Sequence, residues 1–233
     1  MNYSIVLRNT FRLLHTSKLF WIFGVISAAS EILFIGSIYS IRKQPIYCIP
    51  YPLLLLGIYF SLVAKAGLIY LTIQVVSNQI PTLSEVWNFC KTKLKGFVSF
   101  YYISIPLLIF SAFIVEIVRR SEIHPSLAWL IGMLATFLLT SWIIISICTM
   151  TLHNLEAGQA LLLGLRVLFK NFLHVIVLNG IFLTLQVILI VSTGNAFLGA
   201  FVSVPLTVAM TLAYRVFIDK TFDTTLSNIH PTA

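Results

Sequence analysis

Residues 60–71, FSLVAKAGLIYL, set Lys65 in the middle of an apolar run, and residues 24–36, GVISAASEILFIG, do the same to Glu31. A carboxylate and an ammonium in such surroundings can pair, exchange a proton, or bind an ion or a polar substrate. Each needs compensation, because a lone charge near the centre of a bilayer costs ~2.5–3.5 kcal/mol even on the lenient insertion scale. At ~1.5 Å per helical residue, Glu31 stands roughly 18 Å, and Lys65 roughly 12–17 Å, from the same end of the apolar helices that carry them. If the two helices form a hairpin, the depths match within a lysine's reach, and the sequence predicts an intramembrane ion pair between Glu31 and Lys65. Such a pair either fixes the register of the hairpin or takes part in binding.

Other chemistry finds little footing. The sequence holds no HExxH, no GxSxG and no Walker loop, and its first aspartate is Asp219, so intramembrane aspartyl proteolysis lacks its carboxylates. His15, His124, His153, His174 and His230 fall at span ends, in loops or in the tail, without a second ligand at metal spacing. Cys48, Cys90 and Cys148 form neither a disulfide framework nor a CxxC pair. The expectation is therefore a protein that is not an enzyme, with no catalytic, cofactor-binding or metal site and no cofactor.

The elements that must position the charged pair follow from composition. Of 233 residues 59% are hydrophobic and 9% charged, and the mean hydropathy is +0.99; a soluble domain carries about 25% charged residues. Six apolar runs approach the ~20 residues that a transmembrane helix needs, at about 19–41, 51–76, 97–118, 127–150, 172–193 and 196–218. The connecting segments leave no room for a soluble catalytic domain. The whole chain, 1–233, reads as one integral membrane domain: an all-α polytopic bundle of six transmembrane helices in three hairpins. A cleaved signal peptide is the competing reading of the N-terminus, but the apolar run resumes directly after SAAS at 27–30 and completes a full span.

Arg8, Arg12, Lys18, Lys91, Lys93, Lys95, Arg166, Lys170, Arg215 and Lys220 fall on the side that holds both termini, against Arg42, Lys43, Arg119 and Arg120 on the other. By the positive-inside rule both termini are cytoplasmic. The net charge of +8 then reflects topology and attraction to anionic headgroups, with no basic surface suited to nucleic acid. Amphipathic cytoplasmic helices precede spans 1, 3 and 5. In the first, Leu7, Phe11 and Leu14 form the apolar face. In the second, Thr82 and Glu85 have capping-box spacing, and Leu83, Val86, Trp87, Cys90 and Leu94 form the stripe. Their anchors Phe11, Trp87 and Val167 recur at intervals of 76 and 80 residues, a regularity that comes either from a threefold repeat or from three hairpins of similar length.

Within the spans, Ala128, Gly132, Thr136 and Thr140 recur every fourth residue, as do Gly199, Ser203, Thr207 and Thr211. Such small-residue stripes let helix backbones approach closely in lipid. Asn179, Gln186 and Thr193 share one face of the fifth span, which should turn inward because an unpaired amide in hydrocarbon is costly. Pro106 and Pro205 should bend the third and sixth spans. Glu116 with Arg119 and Arg120 reads as an ordinary helix-end pair at the outer rim.

The segments TFRLLHTSKLFWIFGVI, PTLSEVWNFCKTKLKGFVSFYYISIPLLI and ALLLGLRVLFKNFLHVIVLNGIF give the chain a layout that resembles uncharacterised bacterial six-helix integral membrane proteins similar to the membrane domain of glycerophosphoryl diester phosphodiesterases. The resemblance implies an integral plasma-membrane protein. It transfers no phosphodiesterase activity, which in that family resides in a separate soluble barrel, and no functional residues. The expected function is a non-enzymatic scaffold or accessory factor whose partners are the bilayer, with its anionic headgroups, and a protein docked at the cytoplasmic helices. The alternative is a permease subunit served by a separate ATPase: six spans preceded by a helix along the membrane also resemble two-component ATP-driven exporters, with 82–96 as the coupling segment.

Overall fold

The computed structural model describes residues 1–43, 50–93, 96, 99–100, 102 and 125–218, except the side chains at 34–35, 38–43, 50–51, 125–137 and 196. All regular structure among them is helical: α1 (Tyr3–Thr16), α2 (Lys18–Lys43), α3 (Pro50–Val76), α4 (Leu83–Thr92), α5 (Pro125–His153), α6 (Ala157–Lys170), α7 (Phe172–Thr193), α8 (Ala196–Ala200) and α9 (Ser203–Ile218). Three helical stretches are long and apolar enough to cross a membrane: Pro52–Val76, Phe172–Thr193 and Phe197–Ile218. The number becomes five if the bent pairs Tyr3–Thr16 with Lys18–Leu33 and Leu138–His153 with Ala157–Lys170, which turn by 102° and 120°, each count as one span. The expected third span, 97–118, lies outside the described residues apart from 99, 100 and 102, as do Cys48, Pro106, Glu116, Arg119 and Arg120.

Local chemistry sets the ends of these helices. At α4 the Thr82 N–H donates to Glu85 Oε2 at 2.6 Å and the Glu85 N–H to Thr82 Oγ1 at 3.3 Å, a closed capping box. α7 stops at Gly194, whose left-handed φ of 64° lets its N–H reach Ile190 O at 2.8 Å. The expected sixth span is interrupted at Phe201 and Val202, between α8 and α9. Pro205 causes the interruption: it offers no N–H to Phe201, and its ring would collide with the carbonyl four residues earlier. In the first turn of α9 the same proline costs little.

Packing follows a cyclic order. The long helices α3, α5 and α9 touch one another pairwise and make the centre, with α2 laid along α3 and α7 against α5 and α9. Each short amphipathic helix rests on one central helix: α4 on α3, α6 on α5, and α1, the first helix, on α9, the last. Phe89 stacks on Tyr70 at 4.3 Å, and Cys90 Sγ lies 3.8 Å from Val63 O. Trp142 Nε1 donates to Leu161 O at 3.0 Å and Thr149 Oγ1 to Ala160 O at 3.2 Å. α1 is tied at both ends. The Tyr3 hydroxyl bonds His174 Nδ1, and the His174 ring stacks on Phe217; at the other end His15 meets Trp21, which stacks on Phe201.

The face of α1 that packs differs from the expected one. Val6, Asn9, Thr10, Leu13 and Leu14 are buried, whereas Phe11 is 47% exposed. In α4, likewise, Val86 and Cys90 go inward, while Leu83 faces out and Trp87 is 43% exposed. Both helices carry apolar residues over a wider arc than one neighbour can cover, so the bundle takes one flank and leaves Phe11 and Trp87 outside.

Candidate intramembrane charge site

α2 and α3 bring Glu31 and Lys65 together. Lys65 Nζ lies 3.4 Å from Glu31 Oε1, with the side chains 11% and 25% exposed respectively. The lysine makes its shorter bond to Ser61 Oγ, at 2.9 Å and one turn back on α3. The ionic contact is longer than the ~2.7–2.9 Å of a strong charge-assisted hydrogen bond, so Ser61 orients the ammonium while Glu31 supplies the opposite charge. Leu62, Val63, Ala64 and Ala66 around the lysine are all buried.

Close approach of the two helices makes the pair possible. A Cβ on Gly67 would fall 2.5 Å from the Phe23 ring, so the missing side chain lets α2 settle against α3 just beyond the lysine. The polar groups near Glu31 bond among themselves: Ser30 Oγ donates to Ser27 O at 2.7 Å, and Ser27 Oγ is 3.3 Å from Ser203 Oγ on α9. The arrangement can hold a neutral pair of opposite charges within the bundle, with the carboxylate on its more open side. Among the described residues, no three His, Cys, Asp or Glu side chains converge as a metal site would require.

The second small-residue stripe runs along α8 and α9. Gly199 presses on Ile190, Thr207 Oγ1 donates to Ser203 O at 2.8 Å, and Thr211 Oγ1 to Thr207 O at 2.7 Å. These back-bonds satisfy the hydroxyls and leave a flat face toward α2 and α5, where Cys148 Sγ lies 3.7 Å from Thr211 Oγ1. In the first stripe Thr140 is half-buried, while the side chains of Ala128, Gly132 and Thr136 lie outside the described residues.

The α7 face splits. Asn179 is buried and accepts from Ser141 Oγ at 3.0 Å, Gln186 is half-buried, and Thr193 is exposed. Thr193 is the last residue of α7, where residues 190–193 are all exposed. Two participants escaped the sequence reading, Ser61 and Ser141. The first was signalled by its place four residues before Lys65; nothing local marked the second. No protein-family model, curated protein or solved structure matches the chain.

Proposed function

We propose that the chain is a non-enzymatic integral membrane protein of the plasma membrane, with six spans in three hairpins and both termini cytoplasmic. It acts as a scaffold or accessory factor that contacts anionic headgroups or a partner protein through the helices preceding spans 1, 3 and 5. The observation that carries this reading is the outward flank of those helices. Trp87 is exposed on α4 with Lys91 Nζ 6.0 Å from its ring centroid, and Phe11 faces out between Arg8 and Arg12 in the α1 sequence. Aromatics of this kind settle at the headgroup level, and a lysine near an anionic surface gains ~1 kcal/mol. Lys91→Gln should therefore lower the phosphatidylglycerol retained by the purified protein about fivefold without changing its melting temperature. Equal retention in both proteins would count against the lipid contact.

The topology has its own test. In a Cys48→Ser background, a cysteine placed at Ser84 should react with an impermeant maleimide only after the cells are opened; labelling of intact cells would invert the chain. Native Cys90 stays silent in this assay, because burial pushes its thiol up to about 12 and keeps it from the reagent.

A permease subunit with a separate ATPase is the second reading. It is favoured by a specific feature, the Glu31–Lys65–Ser61 group inside the helix bundle, since intramembrane charges commonly mark substrate or ion paths.

A further inference from the structure

Where α4 ends, a cavity of about 370 Å³ opens between its last residues and the turn joining α5 to α6. Lys93, from the end of α4, and Glu156, from the turn, are its charged lining residues among those described, and Leu155, the largely buried Met150 and Gly158 line it too. We propose that this cavity binds the headgroup of a zwitterionic aminophospholipid, with phosphoethanolamine as the recognised unit. The inference rests on the cytoplasmic, lipid-contacting reading of these helices given above.

The two charges carry the recognition. Asn154, held in the left-handed region at φ 51°, accepts a hydrogen bond from Lys93 Nζ. An ammonium has three donors, so two remain for phosphate oxygens. Glu156 sits at the head of α6 without a side-chain bond to that helix, and its carboxylate is available to a primary ammonium. Among the described residues that line the cavity, one cation and one anion match the two charges of phosphoethanolamine. They mismatch a purely anionic headgroup, which would meet Glu156 with no compensating charge. A choline headgroup fits worse, because its quaternary nitrogen donates no hydrogen bond and relies on aromatic faces, and no aromatic residue lines the cavity among the described residues. Leu155, half-buried beside the cavity, suits the glycerol and first methylenes of a lipid better than it suits a solute fully surrounded by water.

Native mass spectrometry of the full chain in mild detergent, titrated with dihexanoyl phosphatidylethanolamine, phosphatidylglycerol and phosphatidylcholine, tests the assignment. The ethanolamine lipid should bind most tightly. Glu156→Gln should weaken it about tenfold and erase its advantage over phosphatidylglycerol; Lys93→Gln should weaken all three. Gly158→Leu, at a lining position, should crowd the cavity and weaken binding while preserving the melting temperature, since a Cβ there meets nothing within 4 Å. Equal binding of the ethanolamine and glycerol lipids by the unmodified chain, or indifference to Glu156→Gln, would overturn the proposal. Equal affinity for free O-phosphoethanolamine would overturn the lipid as its source. The Lys91→Gln effect on phosphatidylglycerol retention is read separately, so failure of the cavity and failure of the lipid-contacting reading remain distinguishable.

Discussion

Glu31→Gln alone and Lys65→Met alone should each sharply lower the amount of folded protein in the membrane, and the double variant should recover most of it. Removing one partner strands the other charge, which typically costs ~3–5 kcal/mol, whereas removing both can be nearly neutral. After Glu31→Gln the ammonium keeps its bond to Ser61 Oγ, which carries no opposite charge. The check is fluorescence-detected size exclusion of the four proteins, with thermal melts of each. Additive losses, with the double variant worst, would mean that the contact contributes nothing. If activity becomes measurable, recovery of abundance without activity would assign the pair to binding or coupling, and recovery of both would leave it a register device.

Why these two residues stood out in the sequence, while others did not, is a matter of scarcity. Charges are few, and Glu31 is the acidic residue lying well inside a span near Lys65 in the chain, so one pairing was legible from depth alone. The capping box of α4 and the effect of Pro205 were legible because they act over three or four residues. The packed face of α1 was not. A 3.6-residue period says which side chains share a flank, but the choice between the Val6–Leu13 flank and the Phe11 flank is made by α9, nearly the whole length of the chain away. The same holds for Asn179: its burial is written in its amide, its partner Ser141 is not. The six-span count rests on the sequence: the described helices give three stretches able to cross a membrane, or five with the bent pairs, and most of the third expected span lies outside the described residues.

The second large effect belongs to Gly164, on the face of α6 that lies against α5. A Cβ there would meet Ser146 Oγ and would stand 3.0 Å from Ser146 Cα and 3.1 Å from its Cβ. A backbone atom cannot rotate aside as a side-chain tip can, so relief requires α6 to lift from α5, breaking the Trp142 bond to Leu161 O and the Thr149 bond to Ala160 O. Overpacking of this kind costs about 1–3 kcal/mol, and the backbone contact puts Gly164→Leu at the upper end. Gly180→Leu on α7 is the control, because a Cβ there meets nothing within 4 Å; it should leave the melting temperature unchanged or slightly raised, as Leu is the better helix former. Equal melting temperatures for the two variants would contradict the close approach of α6 and α5.

The reading of the chain as a lipid-contacting scaffold, set against a permease subunit, comes down to what stays bound when it leaves the membrane. The full chain should be purified in mild detergent and its bound proteins and lipids identified by mass spectrometry, with the Lys91→Gln variant treated in parallel. The account predicts retained phospholipid, reduced phosphatidylglycerol in the variant, and no ATPase at stoichiometric amounts. A one-to-one ATPase whose retention is lost on altering the exposed flank of α4 would contradict it and make that helix a coupling segment.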